Sequence, residues 1–162
     1  MKPVVVLLSV IIVIIAGWVV AWFAVAAVIK LKASQFMAAS ANTSRQIQCE
    51  KFAVSGFPWR FDATCANLVI SASDISFSLP EITATVLIYR PGGLTVSAFG
   101  PAQIIDAFSG SARLARWDNL RLSVRTNGWA LKSFFVKADN FELIDNIAGE
   151  KLVARVASFT AS

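Results

Sequence analysis

The sequence predicts a mainly β protein, in which one N-terminal transmembrane α-helix precedes an antiparallel β-sheet domain that is expected to form a groove. The first observation is an uncharged, apolar run over Val4–Ile29. The second is that the chain after this run divides into short segments of period-two alternation separated by turn residues. The third is a scarcity of helical pattern in that part, which leaves the apolar side of the sheet without helices to cover it.

The apolar run is long enough to cross a membrane. Its 26 residues would extend about 39 Å as a helix, against roughly 30 Å for the hydrocarbon core of a bilayer. Trp18, Trp22 and Phe23 lie toward its C-terminal end, where an interfacial belt of aromatic residues is expected. A cleavable signal peptide is the competing interpretation, because Ala24-Val25-Ala26 resembles a cleavage site. Its apolar region would be only about 7–15 residues long, which favours an uncleaved anchor.

The orientation of this anchor is not decided by its flanking charges. Lys2 precedes the run, and Lys30 and Lys32 follow it, so the positive-inside rule gives no clear answer. We divide the chain into a transmembrane anchor over residues 1–32, a helical stalk or linker over 33–46 and a β-rich domain over 47–162. The stalk is rich in Ala and Ser, and its helix is expected to break near Asn42-Thr43-Ser44.

After Ile47 the pattern becomes one of short β segments. The predicted strands are Gln48–Ser55, Trp59–Ile70, Ile75–Leu79, Ile82–Tyr89, Leu94–Phe99, Ala112–Trp117, Leu120–Arg125, Trp129–Ala138, Phe141–Ile144 and Leu152–Phe159. The predicted turns are Arg90-Pro91-Gly92-Gly93, Asp118-Asn119 and Asn127-Gly128. A brief helix is expected at Pro101–Phe108 alone.

Several of these strands have one polar and one apolar face. Leucine and valine alternate with arginine and serine over Leu120–Arg125, which is typical of a half-exposed strand. With few helices available, the apolar faces are expected to form an open or partly closed groove. The candidate groove residues are Ile82, Ala84, Val86, Ile88, Leu120, Leu122 and Val124.

The two cysteines lie at equal distances from Phe57. Folding the chain about Phe57 would place Cys49 and Cys65 directly opposite each other on adjacent strands. Cβ atoms of such pairs are about 4.5–5.5 Å apart, which needs little adjustment to reach disulfide geometry. The closed loop of about 16 residues would stabilise the fold by roughly 3 kcal/mol. Two buried free thiols are the alternative in a reducing compartment, but we predict a disulfide in an oxidising one.

The composition argues against an active site. The absence of histidine excludes Ser-His-Asp and Cys-His catalysis as well as zinc sites with histidine ligands. The acidic residues occur singly, so we predict no catalytic residue, no metal site, no cofactor and no enzymatic activity. The net charge is +5, but scattered Lys and Arg residues indicate a solvated surface and no nucleic-acid partner. The densest basic stretch, Arg113–Arg125, could face anionic lipid headgroups.

A family resemblance is carried by Cys49–Ile70, which reads CEKFAVSGFPWRFDATCANLVI. With the upstream anchor and Tyr89-Arg90-Pro91, this segment resembles bacterial domain-of-unknown-function family 2125. The family's V-x-G-F-P-x-R-F-D segment falls on Val54, Gly56, Phe57, Pro58, Arg60, Phe61 and Asp62. The resemblance implies a membrane-anchored envelope protein with β strands, and it transfers no catalytic residue.

The same motif has a direct structural interpretation. Gly56 permits a positive φ and Pro58 fixes φ, so the pair predicts a tight turn. Phe57 and Trp59 bracket this turn and are expected to close one end of the sheet. Two later residues, Arg60 and Asp62, lie on one strand face and are expected to pair.

Members of the family usually have longer chains, so this one is expected to be a short variant or a piece whose sheet is incomplete at its C-terminus. More distantly, an anchor followed by a long sheet is similar in plan to the AsmA-type β-groove proteins, whose sheets are thought to carry lipid acyl chains. This likeness is an analogy of plan alone.

We therefore expect a single-pass protein of the bacterial inner membrane, with a cytoplasmic N-terminus and a periplasmic C-terminal domain. Its function is expected to be non-catalytic contact with lipid or another apolar ligand through the β groove. The alternative is an accessory or structural subunit of a larger membrane protein complex. The expected partners are the bilayer and either a lipid ligand or such a complex.

Overall fold

The computed structural model describes residues 2–41, 43–127, 130–145 and 151–161. Its N-terminal part is one continuous helix, α1, which runs from Lys2 to Ser40. This helix passes without a break through the predicted boundary between anchor and stalk, and it ends just before the predicted break at Asn42-Thr43-Ser44. The Ser40 hydroxyl accepts a hydrogen bond from the backbone N–H of Ile47 at 3.2 Å, which ties the helix end to the first strand.

The remaining described residues form nine strands of one antiparallel sheet, which confirms the predicted fold class. The strands are β1 (Arg45–Ser55), β2 (Arg60–Ala72), β3 (Ile75–Leu87), β4 (Arg90–Phe99), β5 (Ala102–Asp106), β6 (Ser111–Arg116), β7 (Asn119–Asn127), β8 (Ala130–Asp145) and β9 (Lys151–Ala161).

The sheet is an up-and-down meander in which two of the long strands are interrupted. β3 pairs with both β4 and β5, and β8 pairs with both β6 and β7. β4 and β5 thus form one interrupted strand beside β3, and β6 and β7 form another beside β8. These two interrupted strands also pair with each other, β4 with β7 and β5 with β6. We call the end with the turns Gly56–Trp59 and Ile88–Tyr89 the proximal end. The distal end carries the turns Ser73–Asp74 and Ala107–Gly110.

The predicted helix at Pro101–Phe108 is wrong, because this segment contains strand β5. The segment is too short to form a stable helix by itself, since nucleation of a helix is costly. As a strand, Ala102–Asp106 satisfies its backbone groups on both sides, against β3 and against β6. Tertiary pairing therefore decides the conformation of these five residues.

Two of the predicted breaks do not occur. Ile75–Leu79 and most of Ile82–Tyr89 belong to the single strand β3, which ends at Leu87, and its Pro80 has no Cα partner in the pairing with β2. A proline without an N–H is tolerated at such an unpaired position. In the same way, Trp129–Ala138 and Phe141–Ile144 overlap the single strand β8, although Trp129 itself lies outside the described residues.

The turn predicted at Arg90-Pro91-Gly92-Gly93 is displaced. The chain turns at Ile88–Tyr89, and Arg90 already begins β4. Gly92 is required for close packing instead, since a Cβ there would lie 2.5 Å from the carbonyl oxygen of Thr126 on β7. The predicted turn at Asp118-Asn119 coincides with the interruption between β6 and β7, and Gly128 of the third turn lies outside the described residues.

A line of irregular pairing crosses the sheet at mid-height, and we call it the switch line. Its members have no Cα partner in the register or lie at a strand interruption: Glu50, Asn67, Pro80, Pro101, Asp118 and Asn140. Asn67 and Asn140 have positive φ of 50° and 51°. Their side-chain amides donate to the carboxylates of Glu50 and Asp118 respectively.

At the switch line, the alternation of side chains between the two faces of the sheet shifts by one residue. Leu79 and Ile82 are three positions apart on β3, yet both belong to the same packed cluster. This cluster contains the buried residues Leu79, Ala102 and Ala115, and it is thin, because among the described residues no large side chain is fully buried. The sheet is therefore held together mainly by its backbone pairing, and most of its apolar side chains remain partly open.

Candidate functional site

The proximal half of the sheet has one face made only of apolar side chains and a half-cystine, which we call the apolar face. Three rows of cross-strand neighbours form it. The central row is Val54, Ala63, Ala84, Val96, Leu122, Val136 and Ala161. The row toward the switch line is Phe52, Cys65, Ile82, Ala98, Leu120, Ala138 and Phe159. The row at the proximal end is Phe61, Val86, Leu94, Val124 and Phe134.

Six of the seven candidate groove residues lie on this face. The register joins the β3 residues Ile82, Ala84 and Val86 to the β7 residues Leu120, Leu122 and Val124 through the intervening strand β4. All six are half-buried. Ile88 was wrongly grouped with them, since it lies in the proximal turn and donates its N–H to the carbonyl of Trp59 at 3.0 Å.

The opposite face of the same half is mainly polar. One of its rows is Ala53, Thr64, Thr83, Ser97, Arg121, Lys137 and Thr160. The hydroxyl groups of Thr64 and Thr83 are 3.1 Å apart, and the Thr85 hydroxyl donates to Asp62 at 2.7 Å. The two faces therefore differ sharply, and the polar face is the one suited to water.

Helix α1 covers one edge of the apolar face. The ring of Trp22 stacks on Phe61 with centroids 5.2 Å apart, and its Nε1 donates to the carbonyl of Arg60 at 3.3 Å. Trp22 is accordingly only 6% exposed. The covered positions of α1 follow a helical spacing: Val19, Trp22, Ala26, Ile29, Ala33, Met37 and Ser40.

Farther from α1 the apolar face stays open within the described part of the chain. Leu94, Phe134 and Phe159 are all classed as exposed, and Phe134 retains 43% of its accessible surface. The apolar face is thus bordered by α1 on the β1–β2 side and leaves exposed apolar side chains on β4, β8 and β9.

The turn motif packs on α1 at the proximal end of the sheet. Gly56 has a φ of +100°, as its position predicts, and its carbonyl accepts the N–H of Arg60 at 3.1 Å. Phe57 contacts Trp22 and Phe23 at centroid distances of 5.5 and 6.2 Å. Trp59 lies 6.5 Å from Trp18 and keeps 66% of its surface exposed.

The expected ion pair of the motif is present. The Arg60 Nε lies 2.7 Å from Asp62 Oδ2, and Asp62 is buried on the polar face. The Arg60 side chain is more than half exposed, so this pair stabilises the fold by well under about 1 kcal/mol. Its structural effect is to fix the chain as it leaves the turn.

The disulfide Cys49–Cys65 is closed, but the predicted register of the two cysteines is wrong. Cys49 lies opposite Leu68, and Cys65 lies opposite Phe52, because the hairpin is centred between Pro58 and Trp59. In regular strands this offset would place the two side chains on opposite faces. The switch line at Glu50 and Asn67 brings them onto one face, with Cα atoms 5.8 Å apart.

Acidic groups lie away from the apolar face. Among the described residues, no group of three or more His, Cys, Asp and Glu side chains is arranged to hold a metal ion. At the distal end, hydrogen bonds from the hydroxyl and backbone N–H of Ser109 lower the pKa of Asp106 below its usual value. This carboxylate closes the turn Ala107–Gly110, which is a structural role.

Comparison with known families agrees with the sequence motif. The model of a family described as "Uncharacterized protein conserved in bacteria (DUF2125)" matches residues 22–162. The match begins at Trp22, so it includes all the covered positions of α1 except Val19, the turn motif and all nine strands. No curated protein matches the chain.

Proposed function

The chain belongs to the bacterial family DUF2125, whose description assigns no activity, and we propose that it is a non-catalytic, membrane-anchored envelope protein whose apolar face binds lipid acyl chains. The observation that carries this proposal is the composition of the three rows, in which no side chain has a hydroxyl, amide or charged group. Sites for polar ligands contain precisely placed polar groups, whereas an acyl chain needs only apolar contact.

The extent of the apolar face also supports a ligand. Two of its three rows continue from β1 to β9, and helix α1 covers only the part on β1 and β2. Contiguous apolar patches beyond a few hundred Å² are rare on soluble proteins without a function. A membrane protein has acyl chains close at hand, so lipid is the ligand that this face would meet first.

Several observations support an uncleaved anchor. Helix α1 has the length and composition of a membrane span. Cleavage after Ala26 would remove Trp22 and Ala26, both of which are buried against the β domain. Phe61 would then lose its stacking partner. The disulfide fits an oxidising compartment, so we place the β domain in the periplasm and the N-terminus in the cytoplasm.

A photo-crosslinking experiment tests lipid binding. A benzophenone amino acid at Val96, in the central row, is expected to crosslink to phospholipid in membranes. The same label at Ser97, the next residue on the same strand, points to the polar face and is the matched control. Crosslinking of lipid that is equal at the two positions would contradict the proposal.

An accessory subunit of a membrane complex is the second candidate, and a different surface favours it. The side of α1 opposite the covered stripe carries the exposed residues Val28 and Leu31. A helix of a partner protein could cover these side chains. Gentle purification separates the two candidates, since copurified lipid supports the first and a stoichiometric partner protein the second. We propose no catalytic role, because the chain lacks histidine and its described carboxylates form no cluster.

A further inference from the structure

We infer that the proximal end of the sheet docks on anionic lipid headgroups of the membrane that holds α1. This inference rests on the proposed anchor, but not on the proposed binding of acyl chains. Three features of the described residues carry it: the point along α1 where contact with the sheet begins, the charges at the proximal end, and the exposed aromatic residues there.

Helix α1 sets the distance between the sheet and the bilayer. Its residues from Pro3 to Trp18 are all exposed, and Val19 is the first covered position. A span of about 20 residues is needed to cross the hydrocarbon core, and Pro3–Trp22 has this length. The bilayer surface therefore lies near Trp22, which is where the helix contacts Phe57 and Arg60 of the proximal end.

The proximal end is basic, although the sequence does not show this as a run. Residues 53–63, 84–93 and 122–135 contain one acidic residue, Asp62, which is buried and paired with Arg60. The same ranges contain Arg90, Arg125 and Lys132, which are exposed and line one depression. Pairing of β4 with β7 and of β7 with β8 brings these three cations together from distant positions. Such a cluster is complementary to phosphate groups of anionic lipids.

The aromatic residues of the proximal end have the character of an interfacial belt. Trp59 and Tyr89 are each 66% exposed, and they occupy the two adjoining turns. Trp and Tyr are favoured at the level of the headgroups, where an apolar ring and a polar group are both satisfied. The neighbouring cations cannot enter the hydrocarbon core at low cost, so they stop the sheet at this depth.

Docking in this position has a consequence for the apolar face. Its proximal row, which includes Val86, Leu94 and Val124, would open directly at the bilayer surface. An acyl chain could then pass from the leaflet onto the sheet without crossing water. The docking surface thus explains how the proposed lipid ligand reaches the face.

The first experiment measures depth at the two ends of the sheet. The full chain is reconstituted into phosphatidylcholine vesicles containing phosphatidylglycerol, with a fluorophore on Tyr89→Cys or on Phe108→Cys. Both native cysteines are in the disulfide, so the new thiol is labelled selectively. Phe108 is 89% exposed in a distal turn and is the matched control. Lipids spin-labelled at the headgroup are expected to quench the label at position 89 severalfold more than the label at 108. Equal quenching at the two positions would overturn the inference.

The second experiment tests the role of charge. The triple variant Arg90→Glu/Arg125→Glu/Lys132→Glu is expected to lower quenching at position 89 but to leave it above the level at position 108, because α1 still holds the proximal end near the bilayer. Its circular dichroism spectrum should be unchanged. Removing phosphatidylglycerol or raising the salt concentration should have the same effect on the original sequence. Arg116→Glu, a substitution on the distal half, should leave the quenching unchanged. If neither the triple variant nor the omission of phosphatidylglycerol from the vesicles changes quenching at position 89, the inference is overturned.

Flotation of the vesicles separates the possible failures. A protein that does not float with vesicles lacks the anchor, and this result would overturn the anchor and the docking together. A protein that floats but shows equal quenching at both ends would overturn the docking alone. Quenching confined to position 89, without lipid crosslinks at Val96, would leave the docking in place and remove the lipid-binding face.

Discussion

Gly56 is the residue on which the turn motif depends most directly. Its φ of +100° is strained for any residue with a Cβ, and an added Cβ would lie 2.6 Å from Cγ of Arg60 and 2.9 Å from Oδ2 of Asp62. We expect Gly56→Ala to lower the free energy of unfolding by about 1–3 kcal/mol. Urea denaturation of the purified protein in detergent measures this change.

Gly110 offers a control for that substitution. It also has a positive φ, of +67°, but a Cβ there meets no other atom. Gly110→Ala should therefore show the backbone strain alone and cost less than Gly56→Ala. Equal losses in the two variants would mean that crowding by Arg60 and Asp62 has no part in the role of Gly56.

The cysteine pair gives a prediction about compartment as well as stability. With Cys49–Cys65 closed, alkylation of the denatured, non-reduced protein should modify neither thiol. Reduction removes a constraint on a loop with a sequence separation of 16, worth roughly 3 kcal/mol in the chain-entropy model. Full labelling of protein taken directly from cells would contradict the disulfide and remove the main support for a periplasmic domain.

The bond between these cysteines could be predicted from sequence, but their register could not. Symmetry about Phe57 suggested direct opposition, whereas the pairing of Ser55 with Asp62 shows that the hairpin is centred one to two residues later. No local pattern in the sequence indicates the irregular pairing at Glu50 and Asn67 that brings the two cysteines onto one face. Asn67 is an ordinary polar residue within an otherwise regular pattern, and its positive φ and missing register partner are seen only in the structure.

At the scale of elements, Trp22 is the most buried aromatic side chain in the contact between α1 and the sheet. Trp22→Ala would remove the stacking on Phe61 and the hydrogen bond to the Arg60 carbonyl. Truncation of a buried tryptophan lowers the free energy of unfolding by about 3–5 kcal/mol, and by less where detergent fills the space left by the ring. Thermal melting followed by circular dichroism measures it. Val20→Ala on the outward side of α1 is the control and should change the melting temperature little.

The sequence predicted the helix and most of the strands, because each has a strong local pattern. The errors share one cause, which is that pairing with neighbours overrides local signals. Pro80 and Asn140 appeared to interrupt strands, yet the strands continue through both residues, which lie at positions of the switch line without a register partner. Pro101–Phe108 looked helical only because its pairing with β3 and β6 is not visible in its own residues.

The groove residues show the same limit at the level of the site. Alternation along β3 and β7 identified six apolar residues on what proved to be one face, but no pattern in the sequence placed β4 between them. Of the basic cluster of Arg90, Arg125 and Lys132, the sequence pointed only to Arg125, as the end of the basic stretch Arg113–Arg125, since the three members are far apart in the chain. The only other sequence signal is a lack of acidic residues around the proximal turns.

At the scale of the whole molecule, the proposed topology requires that α1 stays attached and holds the proximal end of the sheet toward the bilayer. If α1 remains attached, the intact mass of protein from membranes should include Lys2 or Met1. We expect this result because the covered stripe from Val19 to Ser40 makes the second half of α1 part of the domain. A mature N-terminus near Ala27 would instead indicate a secreted protein, without Trp22 and without a membrane to dock on.

The character of the apolar face is tested by placing a charge on it. Val86 is half-buried in the proximal row, between Phe61 and Leu94. If this face is open, the carboxylate of Val86→Glu can reach water, and the variant should melt within a few degrees of the original protein. Crosslinking of lipid at Val96 should nevertheless fall sharply, because a charge is costly beside an acyl chain.

Ser97→Glu supplies the matched change on the opposite face. Ser97 lies opposite Arg121 in the register, so a carboxylate there meets a cation and solvent, and both stability and lipid crosslinking should be retained. In a sealed core, by contrast, an unpaired charge at position 86 would cost about 3–5 kcal/mol. If Val86→Glu unfolds while Ser97→Glu remains folded, the apolar face is ordinary core. The lipid-binding proposal would then lose the observation that carries it.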